Sequence, residues 1–482
     1  MFKETFHLLQ SFNSLTLGLL AIFLILLYKW SSSSTRSSPP STPKLPIIGN
    51  LHQLGLHPHR SLQALSQIHG NVMLLRFGSV PVLVVSSSEA ASEIMKTQDL
   101  AFSDCPKSTI FQKLLYNYND VSTAPYGEYW RQVKGICVSH LLSNKRVHSF
   151  RTVREEETRI MMKKIEESMS SSGVVNLTNR FITLTNDVIC TIALGRKYSG
   201  GEGGKIFNEI LGEFMDVNGL DAKLDKVAKR FDEFRDGIIQ EHINRSPKNG
   251  KSDQHIDEHK DFVDVLLWIQ KENMAGFPVG RVSIKALILD MFTAGTDTYT
   301  IIDWAMSELL RNPKVMKKLQ DEVRGIVVNK REITEDDLVG MHYLQAVMKE
   351  TLRLHPPVPL LMPRKATQDV KVQGYDIKAN TVVIVNAWQI GRDPKSYDNP
   401  EELQRKGLPV DPIWSWKEGR GCPGINFAMA VNEIALANLV HKFDWSLPDG
   451  VKPRDLDMTE SCGLTKRRKY PLKAIAVSHS AD

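Results

Sequence analysis

The stretch Trp414-Ser-Trp-Lys-Glu-Gly-Arg-Gly-Cys-Pro-Gly424 sets a single thiol, Cys422, between Gly421 and Gly424, directly ahead of an apolar run from Ile425 to Val440. Glycines have no Cβ, so a flat cofactor can approach the backbone closely there. Free amides at the start of the following helix point at the sulfur and favour its thiolate form. Such a thiol holds a metal, and haem iron bound by one cysteine thiolate fits the pattern. A buried free cysteine beside a Gly-Pro turn fits the same eleven letters. The rest of the chain decides between them.

Working back from this loop, Leu344 to Leu354 carries Leu344, Val347, Met348 and Leu352 at helical spacing, with Glu350 and Arg353 close enough to pair along the helix. Exposed, the pair is a weak salt bridge; buried, it needs further partners. His355-Pro-Pro357 stops that helix, and Val370 to Ile377 and Thr381 to Val385 read as short strands. Further upstream, Ile284 to Leu310 reads as one long helix ended by Asn312-Pro313. Its middle, Ala294-Gly-Thr-Asp-Thr298, gathers mediocre helix formers, which weakens a helix unless the site gains something. Ala294 and Gly295 leave room for a bound molecule, and Asp297 with Thr298 can relay protons to it. A plain structural kink is the competing reading. Tyr126 to Lys134 opens another helix, with Trp130 and Arg131 adjacent. Arg131 suits an anionic cofactor group and the Trp130 indole N–H can donate beside it, although a solvated basic face gives the same pattern. Val72 to Phe77 and Val80 to Ser86 read as paired strands around Gly78.

Composition bounds the rest. Apolar content of 42% and charged content of 24% over 482 residues are those of a globular chain and exclude a disordered or fibrous one. A net charge of +6, from 61 basic and 55 acidic residues, is too diffuse to argue for nucleic acid, and it suits anionic lipid or an acidic protein partner. The five cysteines are dispersed and form no Cys-x-x-Cys pair, which points to a reducing compartment without a disulfide framework. Ser11 to Trp30 is apolar and uncharged up to Lys29, and about 20 such residues span a bilayer as a helix. It has no clear cleavage site and reads as a retained anchor. Lys29, Arg36 and Lys44 follow it, which leaves the bulk of the chain in the cytosol. Ser31 to Ser38 is a polar tether, and Pro39 to Pro46 is a stiff arm that orients a domain on the membrane or serves as a passive linker. Two further motifs read as loops. Ser199 to Lys205 imitates a phosphate loop but has Ile206 where Ser or Thr is required. His255-Ile-Asp-Glu-His259 matches a zinc-peptidase pattern inside a polar stretch with no apolar frame.

Trp130-Arg131, Ala294 to Thr298, Glu350 to Arg353 and Cys422-Pro-Gly424, in this order, resemble the motifs of the cytochrome P-450 family of haem-thiolate monooxygenases. The proline-rich hinge, Tyr126-Gly-Glu-Tyr-Trp-Arg131 and Gly391-Arg-Asp-Pro394 are similar to the plant microsomal A-type group. The resemblance covers nearly the whole chain. It implies a mainly α fold, a helical domain with a small β-sheet region, and three segments: an anchor over 1–30, a hinge over 31–50 and a haem-binding monooxygenase domain over 51–482. It further implies haem b between the helix bearing Thr298 and the loop bearing Cys422, and an endoplasmic reticulum anchor with the catalytic domain cytosolic. Electrons then come from NADPH through NADPH-cytochrome P-450 reductase, and the substrate is a small lipophilic molecule of secondary metabolism. By the same resemblance Cys422 is the axial iron ligand, and Asp297 and Thr298 supply and orient protons. Trp130, Arg131 and Arg364 pair the haem propionates, Ala294, Gly295 and Gly424 lie against the cofactor, and Glu350 and Arg353 are structural. Lys134, Arg420, Lys145 and Arg146 face the reductase, and Leu360, Leu361 and Gly463 line the substrate pocket.

The chain also departs from the family pattern. Ser415, Trp416 and Glu418 stand where the family has Phe and two Gly before the cysteine, and only Arg420 is kept. The Pro-Glu-Arg-Phe element that completes a triad with Glu350 and Arg353 is not recognisable, with Arg405 as an out-of-register substitute. The segments around 214–220 and 403–421 look shortened. Two expectations follow: a working monooxygenase, or a catalytically impaired relative with an atypical haem loop. An isomerase or dehydratase that needs no reductase fits less well with an intact Asp297-Thr298 pair.

Overall fold

A computed structural model describes residues 16, 18–20, 22–23, 37–171, 173–198, 221–245, 260–274, 277–328, 330–403 and 420–479. In chain order its strands are β1 (Val72–Phe77), β2 (Val80–Val85), β3 (Val174–Asn176), β4 (Arg364–Lys365), β5 (Val370–Val372), β6 (Tyr375–Ile377), β7 (Val382–Val385), β8 (Phe443–Ser446) and β9 (Lys473–Ser478). The chain divides into two compact units, Met1–Ser103 with Leu360–Gln389, and Asp104–Pro359 with Ile390–Asp482.

The smaller unit is built on a sheet of order β1-β2-β7-β4. β1 and β2 form a hairpin with Val72 opposite Val85 and Phe77 opposite Val80, turning at Gly78, whose φ of 61° suits a residue without Cβ. β7 joins β2 in parallel and β4 pairs antiparallel with β7. The helix Pro58–His69 lays Leu62 against Met73, Leu75, Val82 and Val84, and Leu360 packs on this core. The stretch from Val370 to Ile377, which reads as one strand, is the hairpin β5–β6. Gln373 (φ 49°) and Gly374 (φ 82°) both enter the left-handed region, the signature of a tight hairpin turn.

The larger unit is helical, with a small sheet of order β3-β9-β8. Its core joins the helices Arg151–Ser171, Leu177–Leu194, Tyr299–Arg311, Pro313–Ile326, His342–Leu354 and Ile425–Lys442. The helix Ile425–Lys442 is apolar nearly all round, which demands burial on every side, and its run from Ile434 to Val440 is wholly buried. Asn438 interrupts that surface usefully: its side chain accepts from the Ile333 amide at 3.0 Å and donates to the Ile333 carbonyl at 3.1 Å. The predicted single helix from Ile284 to Leu310 is two helices, Arg281–Asp297 and Tyr299–Arg311, divided at Thr298. The Thr298 hydroxyl donates to the Gly295 carbonyl at 2.7 Å, and the Thr300 hydroxyl to that of Asp297 at 2.9 Å, so side chains take up carbonyls at the break.

A mainly α chain with small sheets is therefore what folds. The expected anchor over 1–30 lies mostly outside the described residues. Among the described residues no helix is long and apolar enough to cross a membrane.

Candidate active site

Cys422 is free and accessible to solvent, two residues before the first turn of the helix Ile425–Lys442. Protein atoms nevertheless crowd the residue. Burial pushes the thiol's pKa up, and the amides of Gly424 and Ile425, aimed at the sulfur, pull it down by less. The helix start thus presents its amides as the sequence pattern requires, but burial outweighs them. Among the described residues, a Cβ at Gly424 would meet Leu142 at 3.9 Å and nothing nearer, so packing against them does not demand glycine there. Trp414, Ser415, Trp416 and Glu418 lie outside the described residues.

Trp130, on the helix Glu128–Ile136, is buried under cations: the Arg420 guanidinium stands 4.7 Å and the Lys134 ammonium 4.9 Å from its ring centroid. Its indole N–H donates to the Val121 carbonyl at 3.0 Å. Arg420, expected on a reductase-facing surface, turns instead toward residues 121–124, donating to the Ser122 carbonyl at 3.5 Å and to the Ala124 carbonyl. Arg131 is exposed, with its guanidinium 5.6 Å from the Tyr126 ring. Lys145 is exposed too, but Arg146 is not a surface cation: it is buried, stacked 4.8 Å over Phe150, and donates to the Lys260 carbonyl. Arg364 belongs to the smaller unit, where it is buried on β4 and pairs with Asp99 at 2.7 Å.

Ala294 is exposed, whereas Met291, Phe292, Gly295 and Thr296 around it are buried, so the helix opens at one small residue. Gly295 serves packing: a Cβ there would stand 2.6 Å from the Ile189 side chain on the helix Leu177–Leu194. The space expected at Gly295 is filled by Ile189; at Ala294 it is open. Burial raises the pKa of Asp297, against the pull of Arg467 and of a hydrogen bond with Thr465. Leu361 adopts a left-handed φ of 52°, and Gly463 a φ of 142°.

Glu350 and Arg353 are fully buried and make two parallel hydrogen bonds, Nε to Oε1 at 2.9 Å and Nη2 to Oε2 at 2.8 Å. The remaining guanidinium hydrogens go to the carbonyls of Gly391 and Pro400, both at 2.7 Å, and Glu402 at 2.9 Å. The Tyr397 ring lies 4.7 Å from the guanidinium carbon. Arg405, the sequence substitute for a third member, is outside the described residues. So are Ser199 to Lys205 and His255 to His259.

One cluster escaped sequence reasoning. Asp290 accepts the Val121 amide at 2.7 Å and contacts the Ser122 hydroxyl at 3.0 Å, and that hydroxyl reaches Asp120 at 2.6 Å. Asp120 also accepts the Thr123 amide and hydroxyl, both at 2.7 Å. Burial, then the charge of Asp120, lifts Asp290 to about 8. The available signal was a lone acid inside the apolar run from Ile284 to Phe292.

An accessible thiol carrying helix amides, with cations gathered on the Trp130 indole, is a donor set for an iron porphyrin. The chemistry is that of a haem-thiolate protein. The family model described as cytochrome P450 matches residues 39–405. Cytochrome P450 736A117 of Prunus mume is 62% identical over 504 aligned positions, covering 96% of this chain and 96% of that protein. The norfluorocurarine oxidase of a Strychnos species is 50% identical, with 96% of each chain covered, and cytochrome P450 71A4 of Solanum melongena is 50% identical, covering 97% and 98%. A solved zebrafish cytochrome P450 determined with abiraterone superposes with a TM-score of 0.77 at 21% identity, covering 88% of this chain and 100% of that one. The chain belongs to the cytochrome P450 family and is a monooxygenase that uses haem. The 504 aligned positions exceed the chain's 482 residues, so the Prunus mume relative carries residues that this chain lacks.

Proposed function

We propose that this chain inserts one oxygen atom from dioxygen into a small lipophilic molecule, with electrons delivered from NADPH by NADPH-cytochrome P450 reductase at an endoplasmic reticulum membrane to which residues 1–30 anchor it. The observation that carries the reading is Cys422, a free thiol accessible to solvent whose sulfur receives two helix-start amides. Bound haem supplies iron, whose positive charge holds the thiolate ionised and whose redox chemistry activates dioxygen. Cys422 would hold that iron through its sulfur. Trp130, Arg131 and Arg420 would hold the anionic edge of the cofactor, and Gly424 and Ala294 would leave it room. Gly295 keeps the helix Arg281–Asp297 close against Ile189. Asp297 holds a proton more readily than an exposed carboxylate because it is desolvated, and the Thr298 hydroxyl next to it can pass that proton on. Glu350 and Arg353 fix the segment 391–402 that leads to the cysteine loop.

An impaired relative is the second reading, favoured by residues present in the relative and absent here. The reduced carbon-monoxide difference spectrum of the expressed full chain decides. A thiolate-type band, together with NADPH-dependent turnover in the presence of reductase, is the expected result. Haem incorporation without turnover selects the impaired relative. Cys422→Ala removes the thiolate band, and an unchanged spectrum in that variant overturns the ligand assignment.

A further inference from the structure

Ser122 sits between two carboxylates, and its hydroxyl has one hydrogen. Its oxygen lies 2.6 Å from Asp120 Oδ2 and 3.0 Å from Asp290 Oδ1. With both acids ionised, one contact is oxygen against oxygen with no hydrogen between them, in a site where Asp120 and Asp290 are both buried. A second proton resolves the clash. Asp120 takes the Thr123 amide and hydroxyl in addition to Ser122, and Asp290 takes the Val121 and Ser122 amides, so donors do not separate the two acids; burial together with the charge of Asp120 does. Asp290 is the end that carries the proton: Asp290 donates to Ser122 and Ser122 donates to Asp120.

The same short segment holds the cations near the cysteine loop. Its donors face the acids, through the Val121 amide and the Ser122 hydroxyl. Its carbonyls face the other way, Val121 accepting from Trp130, and Ser122 and Ala124 from Arg420. Asp290 stands four residues before Ala294 on the helix Arg281–Asp297, so one element carries both the acid and the opening.

We propose that Asp120, Ser122 and Asp290 share one proton and act as positioning residues that set the segment 121–124, and through it Trp130 and Arg420, against the anionic edge of the cofactor. This rests on the reading of Trp130 and Arg420 as the clasp for that edge. Loss of the proton puts two negative charges across one hydroxyl, drives Asp120 and Asp290 apart and loosens the segment. The pK of about 8 places this loss just above neutrality. Among the described residues Tyr129 and Cys137 also face the pair, and burial raises both, so they stay neutral over the same range and leave Asp290 to titrate.

The test is the rate at which the haem-loaded full chain gives up haem to a scavenging apoprotein, between about pH 6.5 and about pH 9.5, a window centred on the acid pair. In the wild type the rate rises about tenfold or more across the window. Asp290→Asn, whose amide can donate to Ser122 and cannot ionise, holds haem as the wild type does at the acid end and loses the rise. Asp290→Ala releases haem fast at every pH. Infrared difference spectra add a readout independent of haem: a carboxylic-acid carbonyl band present at the acid end, lost at the alkaline end, and missing from Asp290→Asn throughout. If Asp290→Asn does not fold, Ser122→Ala takes its place, and the wild-type pH step then shifts by about one unit or more. A wild-type rate flat with pH overturns the proposal, as does an Asp290→Asn variant that either keeps the rise or leaks haem at the acid end. Arg420→Ala separates the two readings: unchanged haem release in that variant removes the clasp, while the infrared band still decides whether the proton is shared.

Discussion

Two buried charge clusters of the larger unit satisfy the same physics in opposite ways. At Glu350 and Arg353 a carboxylate meets a guanidinium that cannot deprotonate, and three carbonyls and a ring use up what is left of it. At Asp120 and Asp290 two groups of like charge meet through a hydroxyl. The first cluster is closed by opposite charges that satisfy each other, whereas the second is closed only while it holds a proton. One is a fixed staple, the other a conditional one, and they lie on different sides of the site's chemistry: the staple on the segment 391–402, the conditional pair under Trp130 and Arg420.

The contrast breaks most sharply at the staple. Arg353→Ala strands Glu350 and three carbonyls in the core, and the expected loss of about 3–5 kcal/mol is enough to abolish recovery of haem-loaded protein. Thermal unfolding and haem content measure it, and a variant that retains both returns the pair to the class of dispensable ion pairs. His242 sharpens the comparison from between the extremes. Its ring donates through Nδ1 to the Ile238 carbonyl at 2.8 Å and pairs through Nε2 with Asp261 at 2.9 Å, so its cation is present only when protonated. Burial pulls its pKa down, but the hydrogen bond and charge of Asp261 win and leave it raised. A raised histidine contributes stability fully below its unfolded value of about 6.5 and loses it as pH rises through the folded value. The wild type should therefore exceed His242→Gln in melting temperature at acid pH by about 1 kcal/mol equivalent, with the gap closing toward pH 9. A gap that is constant with pH refutes the assignment. The smallest effect belongs to an exposed pair, Lys317 with Asp321 at 2.9 Å: Lys317→Ala costs about 0.5 kcal/mol or less, and added salt removes the difference.

The staple was legible in the sequence because its two members share one helix turn, and so was the place of Cys422 just ahead of an apolar helix, because both signals are local. The break at Thr298 stood only as the competing kink reading of a helix taken as continuous, carried by helix formers giving out inside an apolar run. What stayed hidden depends on residues far apart in the chain. Asp120 and Asp290 meet through Ser122, 168 positions from Asp290, and no local periodicity records that. Arg420 was expected on a reductase-facing surface by resemblance, and its direction follows from carbonyls 296 and 298 positions away. Gly295 looked like space for a ligand because a glycine does not reveal which neighbour fills the gap, and here it is Ile189. The hairpin at Gln373-Gly374 was misread for a smaller reason: alternating Val, Lys and Val hid a turn that needs only two left-handed residues.

The division at Thr298 also has a signature in time. Two helices that meet at a turn open as separate cooperative units, so the junction can fray while both flanks stay packed. Amide hydrogens just after Thr298 should exchange with solvent deuterium far sooner than those of Leu287 or Ala305, which lie in the middle of wholly buried runs. The point where the long rod yields first is thus its chemically busiest turn.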